Sequence, residues 1–133
     1  WREADVVSNH LRLVPETRGF IGRAAFAAMR PGTFFVDTTR GGIVDEEALI
    51  YALSRGAIAG AARDVFAREP LPLDSPLRTM DNVVLTPHAA WLTHETSRRM
   101  AVTSIENVCA FFAGHPTNLV NPKVLSVPRR STP

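Results

Sequence analysis

The chain of 133 residues contains one cysteine, Cys109, so neither a disulfide framework nor a cysteine-built metal cluster can be assembled from it, and a reducing, cytosolic compartment is the expected setting. No apolar run approaches the roughly 18 residues of a membrane-spanning helix. The amino terminus, Trp1-Arg2-Glu3-Ala4-Asp5, lacks the layout of a signal peptide and an initiator Met. It starts one short step before a strand, which raises the expectation of a chain cut from something longer. An excess of charge of one sign is also lacking. The pI of about 9.3 accompanies a formal net charge of only +2, and Arg98-Arg99 and Arg129-Arg130 are the only adjacent basic pairs, a poor footprint for nucleic acid. The eight glycines include no G-x-G-x-x-G, so the usual pyrophosphate-binding turn is missing, together with the acidic residue about 20 positions beyond it. At 45% hydrophobic and 21% charged, the chain is nevertheless apolar enough to bury one core.

The order of elements is the informative part. Ala4-Asp5-Val6-Val7-Ser8 reads as a first strand, followed by a polar, proline-containing loop. Arg23 to Met29 is helix-forming, and Pro31-Gly32 stops it. Thr33-Phe34-Phe35-Val36 has the apolar, aromatic and β-branched character of a buried parallel strand. Asp45 then suits a helix N-cap, with Glu46 and Glu47 in the first turn, Ala48, Leu49, Ala52 and Leu53 on one face, and Arg55-Gly56 at the end. Ile58 to Phe66 is the expected third strand, although its alanines and Gly60 are poor strand formers. A loop with three prolines in Glu69–Pro76 leads to a fourth strand, Asn82–Thr86, stopped by Pro87. Thr93 or Thr96 caps a long final helix reaching about Phe112, with Met100, Ile105, Val108 and Phe111 or Phe112 on its apolar side and Gly114 as its stop. The tail from His115 onward reads as a surface-hugging extension or frayed end. Alternating strands and helices predict an α/β, Rossmann-like parallel sheet that lacks its first βαβ unit and carries a long C-terminal helix.

In such a sheet, ligands bind in the crevice beyond the carboxyl ends of the strands. Arg40 in Asp37-Thr38-Thr39-Arg40-Gly41-Gly42, Glu69 in Asp64-Val65-Phe66-Ala67-Arg68-Glu69-Pro70, and His88 in Thr86-Pro87-His88 all fall just past strand ends. An arginine there offers a planar fork of donors for a carboxylate. Histidine exchanges a proton near neutrality, and a carboxylate beside it fixes its tautomer and favours its charged form. Reduction of a 2-keto acid needs such a set, because the developing alkoxide must be protonated or met by positive charge. His10 is read as structural, and Trp91 as equally suited to packing or to lining a substrate pocket.

Five stretches carry a resemblance. Ala4-Asp5-Val6-Val7-Ser8-Asn9-His10-Leu11, Pro15-Glu16-Thr17-Arg18-Gly19-Phe20-Ile21-Gly22, Thr38-Thr39-Arg40-Gly41-Gly42-Ile43-Val44-Asp45, Asp64-Val65-Phe66 with Glu69-Pro70, and Asn82-Val83-Val84-Leu85-Thr86-Pro87-His88 resemble the D-isomer-specific 2-hydroxyacid dehydrogenases in order and spacing over residues 4 to 95. The resemblance implies that Arg40 binds substrate and assists catalysis, that Glu69 pairs with His88, and that His88 is the acid/base. It further implies cofactor contacts at Leu11, Thr38, Thr39, Arg40, Asp64, His88, Ala89 and Ala90, a cofactor of NAD or NADP with NAD favoured, no metal, a small 2-keto or 2-hydroxy acid as substrate, and a homodimer for the complete protein. Residues 1–92 correspond to the C-terminal half of the NAD-binding domain, and 93–133 to a helix and tail packing toward a substrate domain. Four positions depart from the pattern: Arg12 and Val14 replace a usual proline and threonine, Thr39 replaces a smaller residue, and Arg63 places a charge in an otherwise apolar strand. Taken alone, the 133 residues are expected to bind cofactor weakly and turn over negligibly, since adenosine and pyrophosphate contacts are missing. A nucleotide-sensing corepressor module and an inactive truncated product remain as alternatives. So do glyoxylate, hydroxypyruvate, pyruvate-like and phosphoglycerate-derived acids as substrates.

Overall fold

The short apolar runs form four strands, β1 (Val6–Asn9), β2 (Phe34–Asp37), β3 (Gly60–Arg63) and β4 (Val83–Leu85), in a computed structural model that describes residues 1–126. All pair in parallel and in sequence order, β1-β2-β3-β4. The register sets Asn9 beside Asp37 and Asp37 beside Arg63, so three polar residues line up across the sheet at its carboxyl end. Helix α1 (Arg23–Ala27) joins β1 to β2, and α2 (Glu46–Ser54) joins β2 to β3. This is the Rossmann-like α/β architecture expected from the alternation.

The core lies where α1 and α2 meet one face of the sheet. Ile21, Phe26, Phe35, Ile43, Leu49, Ile58 and Leu77 are each at most 2% exposed, and the Phe26 and Phe35 rings meet edge to face at 5.4 Å. Burying each such side chain contributes about 1.5–3 kcal/mol. On the opposite face Val6, Phe34 and Val84 are more than half exposed. The α2 ends follow the sequence reading: the Asp45 carboxylate accepts from the Ala48 N–H at 3.0 Å, and Gly56 takes φ +64°.

The strands are shifted or shorter than their apolar runs. β1 starts later and reaches Asn9, because Asn9 pairs across to Asp37; β2 likewise extends to Asp37. β3 covers only Gly60–Arg63 of the expected Ile58–Phe66. Val65 and Phe66 stay buried, but the Phe66 N–H turns away to the Glu69 carboxylate, so hydrophobic burial outlasts the ladder. Helix α1 stops at Ala27, although Met29 beyond it is still core.

Trp1–Trp91 form one compact unit, and a second begins at Leu92. Its helix α3 (His94–Phe112) is capped by Thr93, whose hydroxyl accepts from the Thr96 N–H at 3.1 Å, and Gly114 follows at φ +81°. No α3 residue is buried, and Met100, Ile105, Val108 and Phe112 stand exposed along it. A short 3-10 turn, Pro122–Ser126, interrupts the expected irregular tail, and the rest of that reading, 127–133, lies outside the described residues. Among the described residues no helix is long and apolar enough to cross a membrane.

Candidate active site

Three loops leave the carboxyl ends of β2, β3 and β4, and their packing decides what the rim can do. After β2, the turn through Arg40 enters a 3-10 turn at Gly41–Ile43. A Cβ on Gly41 would lie 1.9 Å from the Phe66 carbonyl oxygen and 2.6 Å from the Ala67 nitrogen. Glycine is therefore required, and its absent side chain lets the arginine turn lie directly on the loop that carries Glu69. That loop is tied down twice more. The Phe66 N–H donates to Glu69 Oε1 at 3.0 Å, and the Ala67 N–H donates to Glu46 Oε2 at 3.2 Å from the start of α2.

Glu69 Oε2 lies 2.8 Å from His88 Nδ1. A carboxylate can only accept, so Nδ1 carries the proton and Nε2 is left for a substrate. The His88 bond, then the Phe66 amide, hold the Glu69 carboxyl below its usual value against the opposing effect of partial burial, and Arg40 adds a smaller favourable charge interaction. His88 itself sits at φ +56°, a left-handed conformation that few non-glycine residues adopt without a functional reason. Both side chains are a little over one-third exposed, so the pair is open to a reactant.

Asp64 fixes the other side of His88. It is 2% exposed, and its two oxygens accept from the Thr86 hydroxyl at 2.5 Å, the Ala89 N–H at 2.9 Å and the Ala90 N–H at 3.0 Å. Burial pushes its carboxyl upward, but the Thr86, Ala90 and Ala89 donors outweigh it and hold the group below the usual value. Asp64 therefore clamps the backbone immediately after His88, a structural task beside the cofactor contact expected of it.

The remaining expected residues gather at the ends of β1 and β2. Asp37 Oδ1 accepts from the Thr39 N–H at 3.0 Å, the Thr39 hydroxyl at 2.8 Å and Asn9 Nδ2 at 3.0 Å. Asn9 Oδ1 in turn accepts the Leu11 N–H at 3.0 Å. Leu11, Thr38, Thr39 and Arg40 with Arg12 and Leu13 line a hollow of about 430 Å³. Glu69 and His88 stand on the wall of a separate cavity of about 580 Å³, with Phe66, Leu71 and Leu85 as apolar lining. Arg40 is exposed, and its NH1 donates to its own Thr39 carbonyl at 2.7 Å, leaving the rest of the fork to solvent. His10 is exposed and lies 2.8 Å from Ser8 Oγ, and Trp91 is half exposed. Sequence reasoning missed Asn9, Asp37 and Glu46, whose side chains accept backbone N–H groups at the rim, and Thr86, whose hydroxyl donates to the Asp64 carboxylate. A polar residue at a strand's carboxyl end was the available signal for the first two.

The family model for the NAD binding domain of the D-isomer specific 2-hydroxyacid dehydrogenases matches residues 1–90. The chain belongs to this family. A glyoxylate reductase of Aeropyrum pernix is 50% identical over 95% of the chain, which spans 38% of that relative's length. Among solved structures, a D-isomer specific 2-hydroxyacid dehydrogenase from Xanthobacter autotrophicus Py2 in complex with NADPH and MES superimposes with a TM-score of 0.76 at 43% identity, over 91% of this chain and 50% of that one. The NAD-complexed form of a family member from Lactobacillus delbrueckii ssp. bulgaricus gives 0.82 at 34% identity, over 90% and 40%. The dehydrogenase-family domain is thus a NAD-binding one. The hollow at Leu11, Thr38 and Thr39 pairs an apolar wall with two threonine hydroxyls, of which that of Thr39 already donates to Asp37, while Asp64 and the amides it accepts after His88 stand at the next strand ends, polar and apolar surface of the kind a nicotinamide nucleotide uses.

Proposed function

We propose that this chain forms the catalytic half of an oxidoreductase that reduces a small 2-keto acid to its D-2-hydroxy acid. The single observation that carries this reading is the His88 Nδ1 to Glu69 Oε2 contact of 2.8 Å at the rim shared with Arg40. Arg40 binds the substrate carboxylate through its free guanidinium donors and draws the 2-keto oxygen toward His88. When bound, a nicotinamide cofactor supplies the hydride to the carbonyl carbon. His88 Nε2 delivers the proton to the carbonyl oxygen, and Glu69 stabilises the imidazolium from the opposite nitrogen. Run in reverse, neutral Nε2 accepts the hydroxyl proton of the 2-hydroxy acid. Leu11, Thr38, Thr39, Asp64, Ala89 and Ala90 are the residues we assign to the cofactor. Residues 1–92 act as the second half of the nucleotide domain and 93–133 as a helix and tail directed toward a substrate domain, in a homodimeric, cytoplasmic protein.

The relative of glyoxylate reductase name makes glyoxylate the first substrate to assay, with hydroxypyruvate and pyruvate beside it. Initial rates of NADH and NADPH oxidation by the complete protein test the proposal. Saturable, keto acid-dependent oxidation with a D-configured product is expected. Tight binding of NADH with no turnover of any 2-keto acid would overturn it in favour of a nucleotide-sensing module.

A further inference from the structure

Arg63 is the largest fully buried side chain of the described residues, 1% exposed, at the carboxyl end of β3. Only one of its nitrogens is hydrogen-bonded: NH2 donates to the Val65 carbonyl at 2.9 Å, while Nε and NH1 meet no acceptor among the described residues. Hydrogen bonds therefore do not compensate for burying this cation. Charge does. NH2 lies 3.6 Å from Asp37 Oδ2, and both side chains are fully buried. Burial pushes the guanidinium below its usual value, opposed first by Asp37 and then by Glu46.

A buried ion pair of this kind adds little net stability compared with two apolar residues of the same volume. What distinguishes this one is the second oxygen of the carboxylate. While Oδ2 faces Arg63, Oδ1 takes the Thr39 N–H, the Thr39 hydroxyl and Asn9 Nδ2, and Asn9 passes the constraint on to the Leu11 amide. We propose that Arg63 is a positioning residue: by supplying the countercharge to Asp37 from β3, it orients that carboxylate and so sets the Thr38–Thr39 turn and the Leu11 backbone that face the nicotinamide. The naming of what the turn serves rests on the proposed function; the mechanical link from Arg63 to Thr39 and Leu11 does not.

Amide hydrogen exchange on the chain of 133 residues, without any cofactor, tests the link, with NADH titration as a separate arm. Arg63→Met is expected to speed exchange of the Thr39 and Leu11 amides by about tenfold or more relative to the Leu49 and Ala57 amides, whose carbonyl partners lie elsewhere. Asp37→Asn alone strands the cation and is expected to cost more. The double variant Asp37→Asn/Arg63→Met removes both charges and keeps an Oδ1 acceptor, so Thr39 and Leu11 protection is expected to return to within about threefold of the parent. Where Arg63→Met does not fold, recovery of that protection in the double variant supports the inference by itself. Unchanged Thr39 and Leu11 exchange in folded Arg63→Met, loss spread evenly over Leu49 and Ala57, or a double variant that stays unprotected or unfolded overturns it. NADH titration is read on the complete protein, where failure to bind would count against the cofactor reading and leave the exchange result standing.

Discussion

Replacing Gly41 by Ala is the most direct perturbation of how the rim is assembled. The added methyl would sit 1.9 Å from the Phe66 carbonyl oxygen and 2.0 Å from its carbon, against the 3.0 Å below which real Cβ contacts essentially never fall. Both obstructing atoms are backbone, so no side-chain rotation relieves the overlap, and the arginine turn and the Glu69 loop must part by about 1 Å. The cost should reach about 3 kcal/mol, the upper end of overpacking. For a unit of this size that corresponds to a fall in Tm of roughly 10–20 °C. Urea unfolding of the variant beside Gly42→Ala and Gly32→Ala provides the comparison. A methyl at Gly42 meets only the flexible ends of Arg18 and Leu13 at 3.3 Å, and one at Gly32 meets nothing within 4 Å, so both should stay within about 1 kcal/mol of the parent. A Gly41→Ala protein as stable as the Gly32→Ala protein would refute the claim that the two loops are packed backbone to backbone.

The other expectations concern charge. Glu69→Gln keeps the size of the side chain but removes the charge that supports the imidazolium, and should lower kcat by about 10²-fold or more with a smaller change in KM, read from steady-state kinetics. Arg40→Lys retains the charge but loses the planar fork; kcat/KM for the keto acid should fall about 10- to 100-fold while NADH binding, followed by fluorescence, holds. Asp64 is held below its ordinary carboxyl value of 3.8, so its contribution to stability is present above that pH and lost as pH falls through the folded-state value. Thr86→Val deletes the first of the favourable donors and should move the acid-unfolding midpoint to higher pH, with about 1–2 kcal/mol lost near neutrality. An unchanged midpoint by circular dichroism would contradict that assignment.

Much of this could be read from local pattern. Asp45 and Thr93 cap the helices the sequence predicted, because capping depends on residues within one turn. Strand-end placement of Arg40, Glu69 and His88 follows from alternation alone. The links between them do not, because they join residues far apart in the chain. Asn9 and Asp37 are 28 positions apart, and the fit of Gly41 against Phe66 depends on how two loops cross. Arg63 shows the limit from the other side. It looked like a charge misplaced in an apolar strand, and only the register that sets it beside Asp37 gives it a partner. The end of β3 was likewise hidden, since Val65 and Phe66 are as apolar as strand residues, but the Phe66 N–H goes to Glu69 and the Val65 carbonyl to Arg63.

The proposed reaction depends above all on His88 moving the proton. The measurement that tests it most directly is NADH-dependent glyoxylate reduction by the complete protein carrying His88→Gln, with NADH affinity measured on the same sample. A kcat lower by about 10²–10⁴-fold at nearly unchanged NADH affinity is expected. Near-normal turnover in that variant would contradict it and return Glu69 and His88 to a structural pair.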